Sequence, residues 1–232
     1  MSEKENNNIN ANSEEIKNET KSTVNEVRET MKNVNIKDDA KVTTGFVTSM
    51  LKDPLSELKK IANDSKNSNF KNAIILMIVW TLVVLLKSIF TNHWKFQYLG
   101  SNVLSVIKTI VAPIAGILVL SAIIYFMQKD KNENGKKSLT TIITTLTTAA
   151  IPLILALIIS LLTIFSYSIT RITSPLITFA TIITIIYTYF GAKSLLSDEE
   201  NSKFVKKFMI IEGIYYVAYF IISFLEIYIP MI

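Results

Sequence analysis

The sequence has no cysteine and only one histidine, His93, among its 232 residues. Disulfide bonds, thiol nucleophiles, cysteine-based zinc sites and sites built from several histidines are therefore excluded by composition. It also lacks a Gly-rich phosphate-binding loop, a serine paired with a usable histidine, and a pair of carboxylates inside an apolar segment. We predict no catalytic site, no metal site and no cofactor, and therefore no enzyme.

Charged residues are scarce beside apolar ones, at 19% against 50%, and the mean hydropathy is +0.37. This is more apolar than a soluble domain needs to fill one core, so lipid must solvate the excess. Residues 1–40 carry nine acidic against six basic side chains, whereas residues 41–232 carry eighteen basic against ten acidic. The basic surplus lies in the apolar part, which indicates topology and anionic-lipid contact rather than nucleic-acid binding.

Five apolar runs are each long enough to cross a hydrocarbon core of about 30 Å as a helix. None of them alternates in polarity as a spanning β-strand does. They predict an all-α fold, a polytopic membrane bundle of five transmembrane helices over residues 72–232. The runs are Asn72–Phe90, Val103–Met127, Ile142–Ser166, Pro175–Ala192 and Phe208–Ile229.

Lysine and arginine are distributed unevenly between the connections of these runs. Twelve lie shortly before the first run, between the second and third, and between the fourth and fifth, whereas two lie in the other connections. Cytoplasmic loops carry the excess of such residues in membrane proteins. We therefore predict a cytoplasmic N-terminus and an outside C-terminus, with residues 128–141 and 193–207 inside and residues 91–102 and 167–174 outside.

Residues 1–39 are rich in Asn, Glu, Lys, Ser and Thr and contain no aromatic residue. Such a segment cannot bury enough surface to offset its chain entropy. We predict a disordered, polar cytoplasmic tail without contact to the membrane part, available to a membrane or cytoplasmic protein partner. The alternative is a partner-binding helix, because Val24, Val27, Met31 and Val34 have heptad-like spacing, although two heptads are too few for a stable coiled coil.

Residues 40–71 have an amphipathic helical pattern that restarts at Asp53, with Asp as N-cap and Pro54 at the first helical position. Lys52, Lys59 and Lys60 accompany its apolar face. This basic amphipathic segment favours a position in the headgroup interface. Packing against the cytoplasmic ends of the spans is equally compatible with the pattern. Its apolar residues are Val42, Phe46, Val47, Met50, Leu51, Leu55, Leu58, Ile61 and Ala62.

Glu212 is the candidate intramembrane polar residue, because it lies about 6 Å inside the fifth run at 1.5 Å per residue. A carboxylate at this depth is a functional hypothesis by default. Lys206 and Lys207 stand at the adjacent membrane edge. A structural ion pair with either lysine is therefore the alternative interpretation.

Small residues form stripes suited to close helix packing in lipid. The second run has one at i, i+4, i+7 and i+11, and the third has another that includes Pro152. Pro113 and Pro152 each remove a backbone hydrogen bond and should kink their helices. The candidate packing residues are Ser105, Thr109, Ala112, Gly116 and Pro152.

Three segments resemble the Yip family, the membrane proteins that interact with Ypt and Rab GTPases, and their bacterial relatives. They are MLKDPLSELKK (Met50–Lys60), GKKSLTTIITTLTTAAIPLIL (Gly135–Leu155) and FVKKFMIIEGIYY (Phe204–Tyr216). The resemblance covers roughly residues 45–230 and implies a five-span protein with its N-terminus inside. The DLYGP-type motif of eukaryotic members is absent, since Asn63–Asn72 reads NDSKNSNFKN. GTPase binding is therefore not carried over.

What the resemblance implies is a bacterial-type member in the cytoplasmic membrane. Our leading hypothesis is a non-enzymatic membrane scaffold or adaptor, motivated by the missing catalytic groups and the long polar tail on the lysine-rich side. The competing hypothesis is a small transporter or channel subunit with a pathway near Glu212 and the proline-kinked spans. Five spans do not divide into matching halves as inverted-repeat transporters do, which favours the scaffold.

Overall fold

The computed structural model describes residues 3–64, 66–91, 99–128, 136–166, 169–196 and 201–228. Over these residues the protein is all-helical and contains no strand, as the sequence predicts. A short 3-10 helix, Leu161–Ile164, follows α7. The α-helices are α1 (Glu3–Lys32), α2 (Ile36–Lys52), α3 (Pro54–Ala62), α4 (Phe70–Thr91), α5 (Leu99–Met127), α6 (Leu139–Ala149), α7 (Ile151–Ser160), α8 (Thr170–Leu195) and α9 (Asn201–Tyr228).

Each predicted apolar run coincides with a helix or a helix pair, namely α4, α5, α6 with α7, α8 and α9. By length and composition, the described part of the chain has two helices able to cross a membrane alone, α4 over Phe70–Lys87 and α8 over its full length. The bent pair α6–α7 makes a third if both halves form one span. The protein is therefore a helical membrane protein with two to three candidate spans within the described residues.

The third apolar run is broken between α6 and α7, and the two halves meet at 47°. Ala150 separates them and Pro152 lies in the first turn of α7. Proline has no N–H to donate to the preceding turn and its ring crowds that turn, so the break follows from the sequence. The kink predicted at Pro152 is confirmed. Pro113 lies inside α5, which is one helix from Leu99 to Met127 without a break at the proline.

Helices α2 and α3 form a hairpin along the bundle. Asp53 caps α3 by accepting a hydrogen bond from the Ser56 N–H at 3.2 Å, and Pro54 opens the helix, as predicted. Thr43 of α2 donates to the Asn72 side chain of α4 at 3.1 Å. Further along, α3 packs against α6 and α8, with Leu58, Ile61 and Ala62 buried. Packing against the spans thus accounts for these three apolar residues of α3, whereas Leu55 is exposed.

Helix α1 occupies much of the segment for which composition favours disorder. It contacts α4 and α6, and Thr23 is 7% exposed there. Val27 packs against the buried cluster that contains Phe70, Ile142 and Leu195. The structure differs from the expectation because tertiary contacts to polar groups of α6, which composition does not reveal, supplement the weak apolar face of the segment.

Helix α6 lies at the centre of this assembly. Every residue from Thr140 to Ala150 is buried, and α6 contacts α1, α3, α4, α5 and α8. Three of its threonines donate their hydroxyls to carbonyls one turn earlier, at 2.7 to 2.8 Å. These three hydroxyls are therefore satisfied within their own helix, which lowers the cost of burying them, whereas the buried Thr147 hydroxyl has no hydrogen-bond partner among the described residues. The three are Thr144, Thr145 and Thr148.

Candidate functional site

The N-terminus of α6 carries the most extensive polar network in the described residues that links distant parts of the chain. Ser138 is the N-cap, and its hydroxyl accepts the Thr141 N–H at 3.2 Å. The Asn67 side chain donates to the Thr140 hydroxyl at 2.7 Å and accepts from the Thr141 hydroxyl at 2.5 Å. One asparagine thus fixes both hydroxyls of the first turn of α6 against the chain that precedes α4.

Asn67 has a φ of +50°, in the left-handed region. Asparagine tolerates this conformation better than other non-glycine residues, which explains its presence at the turn. Asp64 supports the same turn by accepting from the Ser68 hydroxyl and from the Lys66 N–H at 3.0 Å. The Ser68 hydrogen bond holds the pKa of Asp64 below its usual range. The turn is thus organised to present the Asn67 amide to α6.

Helix α1 adds a carboxylate to the same end of α6. Glu19 accepts the Leu139 N–H at 3.0 Å, one of the N–H groups that a helix N-terminus leaves without an intrahelical partner. The positive end of the helix dipole favours a negative charge there. Glu26 lies seven residues after Glu19 on the same face of α1 and hydrogen-bonds to Thr140, yet burial raises the pKa of Glu26 above its usual value and nearby Glu19 raises it further.

Lys71 connects the same region to the junction of α1 and α2. Its ammonium group lies 2.7 Å from the Asp39 carboxylate and donates to the Asn33 carbonyl at 2.9 Å. The hydrogen bond from Lys71 holds the pKa of Asp39 below its usual range. The end of α1, the start of α2 and the start of α4 are therefore held together by a single lysine.

Lys137 joins the network from the α5–α6 connection. Its N–H donates to the Gln128 side chain at 2.7 Å, and its ammonium group donates to the Asn63 side chain at 3.1 Å. Gln128 is 1% exposed, so its amide lies inside the protein. The loop before α4 and the end of α5 are thus both tied to the entry of α6.

We name this network the α1–α6 junction, comprising Glu19, Glu26, Asn67, Ser138, Thr140 and Thr141. Its groups are carboxylates, amides and hydroxyls bound to one another. Such an arrangement positions helices, and its charged members come from α1 while its neutral members come from the membrane part. The junction is thus a docking surface between two segments of the chain.

The predicted site residues lie away from this junction. Glu212 is half-buried on α9. Gly116 lies on α5 against α9, where an added Cβ would be 3.0 Å from the Tyr215 hydroxyl oxygen. Pro152 opens α7. The side chains of Ser105, Thr109 and Ala112 lie outside the described residues.

Sequence reasoning did not identify Glu19 or Asn67. Glu19 is one of nine acidic residues in a polar segment, and nothing in its neighbours distinguishes it. Asn67 lies in the turn-forming stretch NDSKNSN, whose composition indicates a loop but not its contact with α6. Ser138 did carry a signal, because serine directly before an apolar helix is a typical N-cap.

A family model for the Yip1 domain matches residues 48–226. The chain belongs to the Yip1 family. The resemblance drawn from the sequence is therefore confirmed, and the Yip1 domain with its apolar helices makes this an integral membrane protein. No curated protein and no solved structure matches the chain significantly.

The matched residues of this Yip1-family protein begin within α2 and end within α9. Asn67, Ser138 and Thr140 lie inside the Yip1 domain, whereas Glu19 and Glu26 precede it. The α1–α6 junction therefore attaches the N-terminal helix to the domain that the family shares.

Proposed function

We propose that this Yip1-family protein is a non-enzymatic membrane scaffold or adaptor, in which the Yip1 domain anchors α1 and α1 recruits a membrane or cytoplasmic protein. It spans the bacterial cytoplasmic membrane five times, with its N-terminus inside and its C-terminus outside. The lysine distribution supports this orientation, because the connections before the first, third and fifth apolar runs carry twelve basic residues and the other connections carry two.

The observation that carries the proposal is the hydrogen bond between Glu19 and the Leu139 N–H at 3.0 Å. It fixes one face of α1 on the end of the bundle, with Thr23 and Val27 turned toward the protein. An anchored helix presents its other faces in a constant orientation. Presentation of a fixed surface at a membrane is what an adaptor requires.

A neighbouring stripe of α1 is available to a partner. Val24 is 58% exposed and Met31 is 55% exposed, and the two are seven residues apart on one helical face. Apolar anchors at this spacing are typical of helices that bind in a groove of another protein. We infer that the partner contacts α1 through Val24 and Met31.

Site-specific photocrosslinking in intact cells tests this function. A photoreactive amino acid at Met31 should yield a discrete protein adduct, and Val24→Asp in the same chain should abolish it. The matched control places the photoreactive group at Glu29, which is exposed on α1 away from the Val24–Met31 stripe.

An identical set of adducts from Glu29 and Met31 would show that the stripe is not selective. If no protein adduct forms and the purified protein instead mediates solute flux in reconstituted vesicles, the adaptor function is wrong and transport is favoured.

A further inference from the structure

The α2–α3 hairpin extends from the start of α4 toward the middle of the bundle. At its beginning, Asp39 pairs with Lys71 at 2.7 Å and Thr43 bonds to Asn72 at 3.1 Å. Met50, near the end of α2, is fully buried in the same cluster as Leu76. Helix α2 therefore runs beside α4 in the direction of the membrane interior.

Helix α3 returns toward the starting level. Leu58 lies beside Gly191 of α8, where an added Cβ would be 3.8 Å from the Leu58 Cδ2 atom. Four residues later, Ala62 belongs to the cluster of Phe70 and Leu195, at the beginning of α4 and the end of α8. The connection between α2 and α3 is therefore the deepest part of the hairpin.

Leu76 lies six residues beyond Phe70, which corresponds to about 9 Å along α4. Interfacial helices bury their apolar faces about 5 to 10 Å into the boundary between headgroups and acyl chains. Ile78, two residues further along α4, is 37% exposed, so α4 presents an apolar side chain on the outside of the bundle close to this level. The hairpin tip therefore lies at the depth where headgroups meet acyl chains.

The tip itself carries two exposed leucines. Leu51 is 51% exposed and Leu55 is 48% exposed, although their neighbours Met50 and Leu58 are fully buried. These leucines flank the Asp53–Pro54 turn, so both are on the part of the hairpin that reaches furthest along the bundle. Apolar side chains at this depth meet lipid unless a protein covers them.

The charges around the tip favour an anionic lipid. Lys52 and Lys59 are exposed, and so is Lys60. The nearby acidic groups have partners, because Asp53 caps α3 at 3.2 Å and Glu57 lies 3.7 Å from Lys60. Three lysines against two carboxylates leave the surface next to the leucines net basic by one charge, which favours contact with lipid phosphates.

We propose that the α2–α3 hairpin is a lipid-binding wedge, which inserts Leu51 and Leu55 into the leaflet next to the start of α4 and binds anionic headgroups through Lys52 and Lys59. The sequence left headgroup contact and packing against the spans as alternatives. In this arrangement both apply, since one face of the hairpin packs on the bundle and the other meets lipid. The wedge does not depend on recruitment of a partner by α1.

Spin labelling tests the insertion, because the full chain is free of cysteine. Labels at Leu51→Cys and Val24→Cys are compared in vesicles of equimolar phosphatidylglycerol and phosphatidylcholine. The label at position 51 should be accessible to oxygen and protected from a water-soluble nickel chelate, whereas the label at position 24 should show the reverse. Equal chelate access at the two positions overturns the wedge.

The same labels distinguish lipid from a protein cover. Dipolar broadening between labels at position 51, absent after dilution with unlabelled protein, would show a second copy on the tip and would overturn lipid insertion. Photocrosslinking from α1 is a separate measurement, so a missing adduct there leaves the wedge unaffected, and an aqueous tip leaves the adaptor function unaffected.

The lysines are tested by thermal unfolding in vesicles with and without phosphatidylglycerol. We expect the anionic lipid to raise the Tm of the native chain, and the double variant Lys52→Gln/Lys59→Gln to reduce that rise by roughly 2 to 4 °C per lysine. The control Lys21→Gln/Lys32→Gln removes two exposed charges from α1 and should keep the full rise. A full rise in the Lys52→Gln/Lys59→Gln variant contradicts headgroup binding at the hairpin.

Discussion

The carboxylate of Glu19 accepts a hydrogen bond from the backbone N–H of Leu139 at 3.0 Å, across a separation of 120 residues. One partner belongs to the polar N-terminal segment and the other opens the most buried helix of the membrane domain. The contact makes the position of α1 dependent on the fold of the Yip1 domain. It also means that altering this single side chain should raise the population in which α1 is detached.

Glu19→Ala should loosen α1 without unfolding the membrane part. Loss of a charged acceptor at a helix N-terminus costs about 1 kcal/mol, which raises the population of detached α1 about fivefold. Trypsin cleavage at Arg28 in detergent measures that population, since cleavage follows the opened state. Glu14→Ala is the control, because Glu14 is exposed on the same helix. Equal cleavage of the two variants would remove Glu19 from the junction.

Glu26→Gln should strengthen docking of α1 at neutral pH. Burial raises the pKa of Glu26, so the docked state binds more protons than the detached state, and this group's contribution to docking falls as pH rises above the ordinary glutamate range. Glutamine still accepts from Thr140 but carries no charge. The mobility of a spin label at Ser22→Cys on α1 should show a larger docked fraction for the Glu26→Gln variant at pH 8, and the same docked fraction with either residue at position 26 near pH 4. A constant difference at both pH values would contradict this linkage.

Gly116→Leu should destabilise the bundle more than Leu118→Ala. A Cβ at position 116 would be 3.0 Å from the Tyr215 hydroxyl oxygen, so the remaining leucine atoms must displace the Tyr215 side chain at the contact between α5 and α9. Overpacking of this kind costs about 1 to 3 kcal/mol. Leu118 is 46% exposed and its truncation leaves little cavity. Thermal unfolding in one detergent compares the two, and an equal or lower Tm for Leu118→Ala would refute the packing role of Gly116.

Gly191→Leu should also destabilise the bundle by overpacking, here at the contact between α8 and α6. A Cβ there would lie 3.1 Å from the Thr145 Cγ2 atom, between α8 and the fully buried α6. Gly213→Leu is a matched control in a helix, since a Cβ at position 213 meets nothing within 4 Å. We expect a lower Tm for Gly191→Leu and an unchanged or higher Tm for Gly213→Leu, because leucine has the higher helix propensity.

The proposed orientation can be tested with two isosteric changes. Ser22 on α1 and Ser174 on α8 are both exposed, and each becomes a single labelling site as cysteine. An impermeant thiol reagent applied to intact cells should label Ser174→Cys and not Ser22→Cys. Labelling at position 22 alone would place the N-terminus outside.

The helical class and the α3 cap follow from local signals. Asp53 and Pro54 occupy consecutive positions with strong helix-start preferences, so their roles were predictable from sequence. The break near Pro152 was predictable because proline acts on its own backbone. The α1–α6 junction was not predictable in this way, since Glu19, Asn67 and Leu139 come together only through tertiary contacts between segments far apart in sequence. Composition also favoured disorder for α1, because a few anchoring hydrogen bonds do not appear in an average over many polar residues.

The complete burial of α6 has a consequence for the order in which the protein is made. Helices α3, α4 and α5 precede α6 in the chain, whereas α8 follows it, and all four contact it. Until α8 has left the ribosome and packed, the side of this threonine-rich helix that faces α8 has no neighbour from its own chain. Biogenesis therefore includes a stage at which the exposed side of α6 has no partner from α8, while the hydroxyls of Thr144, Thr145 and Thr148 are satisfied by carbonyls of their own helix. That stage ends when α8 packs against α6.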